Sequence, residues 1–193
     1  RGRAPGPAKI PQGPPGAGTA ALRVIPVAGA GAALVPEAPA LLMPLESAVV
    51  SVRVGAAEQV VDRSAFLVAP RGAAVALTTR QAAARVAAIA FLPPLFAKVE
   101  ATYRGLGLDR GRLEAWLAGA ALLPRTVWVH EVLHRYVFER HALGAPPNEA
   151  STFLETELLK EIYFLLRDRD EGAERATILR ETLEIALLSE RIN

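Results

Sequence analysis

The chain has 193 residues, 51% hydrophobic and 22% charged, which suits one large domain or a domain with an appendage. Its formal charge of +2 gives no overall pull toward nucleic acid or an anionic membrane. The absence of cysteine excludes a disulfide scaffold and thiolate metal sites, and it fits a reducing cytoplasm.

Residues 1–18, RGRAPGPAKIPQGPPGAG, are rich in Pro and Gly and offer little to bury, so they read as an arm or tail. No charged segment followed by an apolar core opens the chain, so no signal peptide is expected.

Residues 19–92 read as β. The segments ALRVIPV, ALLMPL, SAVVSVRV, EQVVD, SAFLVAP, AAVALTT and ARVAAIAFL are short and rich in Val, Ile and Leu. Turn formers such as Gly31, Pro36, Gly55, Asp62 and Gly72 separate most of them, the pattern of a sandwich or barrel. VSVRVGAAEQVV reads as a hairpin turning at Gly55. Its alternation puts Ser51 and Arg53 on one face, with Arg53 solvated, and Val52 and Val54 on the other. The longest apolar run, residues 82–97, carries an arginine and two prolines and is too short to span a membrane.

Residues 93–193 read as five helices. The first starts at Pro93-Pro94 and stops at Gly105 or Gly107; the second is GRLEAWLAGAAL. The third, over residues 124–143, carries all three histidines. The fourth follows Pro146-Pro147 and is capped by Asn148 or by Ser151/Thr152, with Thr152 and Glu155 spaced as a capping box. Leu154, Leu158, Ile162 and Leu165 recur on it at helical spacing, and Leu159 and Leu166 widen the stripe. The fifth is expected after a turn at Gly172. It carries Ile178, Ile185 and Leu188 on one flank, beside Leu179 and Leu183.

His130-Glu131-Val132-Leu133-His134 spells H-E-x-x-H. On a helix His130 and His134 share a face, as two zinc ligands must, and Glu131 stands beside them as a possible base. A third ligand is required. Arg140 stands where the extended motif has its third histidine, His141 comes one residue late, and Glu149 and Glu155 qualify only by type. The simpler reading is a core-facing helix, with Val129, Val132, Leu133, Tyr136 and Val137 on a broad apolar face and the histidines at its margin.

The order of parts, together with particular segments, resembles the N-terminal regulatory domain of AraC-type transcription regulators. LLMPLESAVVSVRVGAAEQVVDRSAFLVAPRGAAVALTTR looks like the central strands of a cupin barrel, with SAFLVAPRGAAVAL as the cupin hairpin. STFLETELLKEIYFLLRDRDEG resembles the E-x-E-L/I-x-K/R-E-I/L-x-x-x-L helix of many of these regulators. The resemblance implies an α+β fold, a cupin-like double-stranded β-barrel followed by a helical region with an antiparallel helix pair. It also implies a non-enzymatic, effector-sensing and dimerising role in the cytoplasm. DNA would be reached only through a helix-turn-helix domain that these residues lack. Metal cupins carry histidines in the barrel, whereas Ala73, Ala74 and Val75 follow Gly72 here, so neither metal nor cofactor is expected.

The expected pocket lies inside the barrel, among Met43, Val50, Val52, Phe66, Val68, Val75 and Leu77. The expected dimer seam is the fourth helix, through Leu158, Ile162, Leu165 and Leu166, and the arm would fold over the barrel mouth. The two rivals are a zinc hydrolase using His130 and His134, and a dimerisation module with no ligand.

Overall fold

A computed structural model describes the backbone of residues 8–9 and 18–192 and the side chains of residues 18–175. In chain order the strands are β1 (Ala8–Lys9), β2 (Ala20–Ala28), β3 (Ala32–Val35), β4 (Ala40–Pro44), β5 (Val50–Val54), β6 (Ala57–Val61), β7 (Ala65–Ala69), β8 (Val75–Thr78), β9 (Ala83–Phe91) and β10 (Ala121–Pro124). The helices are α1 (Pro93–Tyr103), α2 (Arg110–Trp116), α3 (Val127–Val137), which runs on into a π-helical turn over Phe138–Ala142, and α4 (Glu149–Ile192).

The strands form two sheets, ordered β1-β3-β8-β5-β6 and β10-β7-β4-β9-β2. Among the described residues, only the β1–β3 pair is parallel. The first sheet covers one face of the second, and the helices cover the other. Side-chain parity shows how. Leu42, Leu67, Ala69, Val86 and Ala88 point into an aliphatic core shared with Val50, Val52, Val75 and Leu77 of the facing sheet. Their chain neighbours Leu41, Met43, Phe66, Val68, Ala87 and Ile89 point the other way, into a core shared with α1, α3 and α4. The second sheet is therefore buried on both faces. That is why ALLMP and VAAIAF are continuous apolar runs rather than alternating ones.

The β5–β6 hairpin forms as read, its strands joined by Gly55-Ala56 with Val54 opposite Ala57. Gly55 has φ +60, the left-handed value a two-residue hairpin needs. Arg53 lies exposed on the outer face, opposite Glu58.

Several expectations are corrected. AALV, between Gly31 and Pro36, is a strand, β3. ALLP, read as the end of a helix, is β10, an edge strand against β7. The expected SAFLVAPRGAAVAL hairpin is not a paired hairpin: β7 and β8 lie in opposite sheets, and the turn at Gly72 carries the chain between them. The turn at Gly172 does not form either. The expected fourth and fifth helices are one 44-residue helix, α4, so they do not fold back as a pair. A lone glycine costs a helix about 1 kcal/mol, too little to break it when its neighbours favour helix. The side chains of Ile178, Leu179, Leu183, Ile185 and Leu188 lie outside the described residues. Asn148 is the residue that caps α4, its Oδ1 accepting from Ser151 N at 2.8 Å. No described helix is long and apolar enough to cross a membrane.

Candidate ligand-binding site

The seven residues expected to line a barrel pocket divide between the two cores. Val50, Val52, Val75 and Leu77 lie between the sheets, where no more than 2% of each is exposed and aliphatic side chains pack around them. Met43, Phe66 and Val68 face the helices instead.

Of the seven, Met43 borders open space. It lines a groove of about 440 Å³ at the junction of the helix-covered sheet with α3 and its π turn. Leu45, Val137 and Phe138 supply apolar surface. His130, His134 and His141 lie along the helical wall. Three arginines from distant parts of the chain meet there: Arg63 after β6, Arg85 on β9 and Arg125 just after β10. Glu46 is the one acidic lining residue and is ion-paired to Arg85. It holds φ 60, a left-handed backbone that a non-glycine residue adopts at some cost.

Arg125 is placed by its backbone, whose N–H donates to Ser64 O at 2.7 Å. Its Nε is shut off from solvent and has no hydrogen-bond partner among the described residues. Burial holds its guanidinium pKa below the usual value, because the charged form loses hydration. Thr126 follows as the N-cap of α3, its Oγ1 accepting from Val129 N.

Behind the groove wall sits a buried polar knot. Glu155, 1% exposed, accepts from Tyr136 OH at 2.9 Å and from Thr19 Oγ1. Burial raises its pKa, while those hydrogen bonds and the nearby Arg140 charge oppose the rise. Burial likewise raises the Tyr136 pKa, and the Glu155 carboxylate adds to the effect. Thr19 stands at the root of the N-terminal segment, Tyr136 on α3, Arg140 on the π turn and Glu155 on α4, so the knot ties four parts of the chain together. A π turn marks a helix that keeps an irregular ladder, often at a functional site.

The His130 and His134 rings stack 6.2 Å apart on the groove wall. Glu155 is committed to Tyr136 and Thr19, and Glu149 lies exposed in the first turn of α4. No group of three metal-binding side chains occurs among the described residues.

Leu158, Ile162 and Leu166 are buried against the chain's own sheet and helices, and Leu165 is partly buried beside them. Beyond Leu166 the described residues of α4 are mostly exposed.

No protein-family model matches the sequence, and no curated protein sequence matches it. Solved structures do. ToxT from Vibrio cholerae superposes with a TM-score of 0.56 at 11% identity, covering 79% of this chain and 57% of that one. ToxT from the same organism, bound to a naphthalene-bearing butenoic acid, gives 0.56 at 10%, covering 78% and 58%. Its unsaturated-fatty-acid-bound form gives 0.55 at 8%, covering 77% and 55%. This chain thus spans a little over half the length of the ToxT chains it matches. Over 79% of its length it shares the cupin-like α+β fold of ToxT, an AraC-family regulator.

Proposed function

We propose that this chain is the regulatory domain of an AraC-type transcription regulator. It senses a small-molecule effector, pairs with a second copy, and reaches DNA through a helix-turn-helix domain outside these residues, in the cytoplasm. The observation that carries this reading is an open groove, apolar below and cationic at its rim, set against the helices of a ToxT-like fold. That two of the similar ToxT structures hold small organic acids supports it. The aliphatic side chains between the sheets are buried against one another, and this reading takes the groove rather than the barrel interior as the effector site.

The π turn gives the groove a route to the rest of the domain. Phe138, His141 and Ala142 line the groove, while Arg140 of the same turn acts on the Tyr136–Glu155 pair. That pair in turn holds Thr19 and α4. An effector that prefers one setting of the turn shifts the balance between arrangements of arm and helix. Its leverage equals its difference in affinity for the two, typically about 1–3 kcal/mol. Dimerisation, in this reading, uses α4 beyond Leu166.

The test is a thermal-shift screen of small organic acids on the chain, with Ala142→Trp as the groove-filling control, and sedimentation velocity over a concentration series. The expected result is a stabilising acid whose effect Ala142→Trp removes, and a concentration-dependent dimer. A monomer that no compound stabilises would sink the reading.

A further inference from the structure

The groove has a polarity that its general role does not explain. Three arginines face one glutamate, and the glutamate is already engaged by Arg85. Arg125 has no such carboxylate. Its Nε is enclosed without an acceptor among the described residues, although a guanidinium carries five N–H donors that want oxygen partners. Leaving a buried donor unmet costs the chain its full desolvation. Nε itself is out of a ligand's reach, but the residue lines the groove without a carboxylate partner among the described residues, and Arg's planar fork suits the paired oxygens of a carboxylate or phosphate. The backbone bond from Arg125 to Ser64, together with the Thr126 cap, fixes the residue between β10 and α3 before any ligand comes. Met43, Leu45, Val137 and Phe138 in the same groove give an apolar body a place to lie.

We propose that Arg125 is the head-group subsite of the groove, and that its ligand is a compact organic anion with an apolar body rather than a neutral polyol or a cation. This rests on the groove being the effector site. Arg63, exposed on the same groove, adds charge that draws the anion in. Arg85, tied to Glu46, is the less available partner.

Three probes separate the possibilities: phenylpropanoate, phenylpropyl phosphate and phenylpropanol, titrated calorimetrically into the wild-type chain, Arg125→Gln, Arg125→Lys and Ala142→Trp. The first two share the anion and differ in its source, and the third keeps the body without the charge. The expected result is binding of at least one anion and much weaker binding of the alcohol. Arg125→Gln should weaken the anion about ten- to hundredfold, the range for a charged hydrogen-bonded contact. Arg125→Lys should recover part of the loss, since a point charge remains. Unchanged circular dichroism and melting temperature would show that Arg125→Gln still folds. Equal affinity for acid and alcohol, both lost in Ala142→Trp and unaffected by Arg125→Gln, would overturn the anion assignment and leave the groove standing. No binding of any probe would overturn both.

Discussion

The two cores of this domain lie on opposite faces of one sheet and are built from different chemistry. Among the described residues, the hydrophobic cluster between the sheets is made of Ala, Val, Leu and Ile, without an aromatic ring. The core under the helices holds Phe66, Phe91, Phe96, Tyr136 and Tyr163, and the buried Glu155, Glu157, Ser151 and Thr156 lie on the helix that covers it. Small aliphatic side chains from two facing sheets pack against one another in the first core. Irregular helix packing leaves gaps that large rings fill unevenly, and at one margin the gap stays open as the groove. The groove lies where packing is heterogeneous, outside the barrel.

The largest test of that contrast uses two adjacent residues on β7. Phe66→Ala empties the helix-side core and Leu67→Ala the inter-sheet core, and each should cost about 3–5 kcal/mol. The difference should appear in hydrogen exchange. Phe66→Ala is expected to expose the amides of α3 and the first turns of α4 while the strands stay protected. Leu67→Ala is expected to loosen both sheets together. Identical protection patterns would mean that the two cores melt as one unit.

Glu155→Gln probes the polar content of the helix side. Because folding raises the Glu155 pKa, the folded state holds its proton longer than the unfolded chain does. Stability from this group is therefore full below the ordinary carboxylate range, falls as pH rises through the elevated pKa, and levels off above it. Glu155→Gln should flatten that fall, with an effect on the order of 1 kcal/mol, read by urea melts across the acid-to-neutral range. A slope unchanged by the substitution would show that another group sets it. Asn148→Ala, which removes the cap of α4, should cost about 1 kcal/mol in the same melts. Arg53→Ala, on the outer face of the all-aliphatic layer, should change stability by less than about 0.5 kcal/mol. A larger change would mean that this face is not simply solvated.

The sequence showed its strands where Val, Ile and Leu recur, as in β2, β4 and β5. It hid β3 (AALV) and β10 (ALLP), only four residues each, and it suggested a break at Gly172 that α4 passes through. The expected pocket residues divide between the two cores for a physical reason. In a sheet buried on both faces, alternation shows which residues share a side but not which side meets the helices. Met43 and Val52 therefore read alike, although they lie in different cores. The histidine stripe was visible, but the arginines it faces come from three separated segments and announce themselves only after folding.

α4 has a mechanical consequence. The 26 residues from Arg167 to Ile192 lie past its last described buried position, Leu166, and at about 1.5 Å per residue they form an arm of roughly 39 Å. A tilt of about 5° at Leu166, small enough for side-chain packing to absorb, would carry the far tip of a straight helix by about 3.4 Å. That is close to the thickness of an aromatic ring. An unbroken helix of this length is a pointer, converting an ångström-scale adjustment at its packed end into a larger displacement along its length.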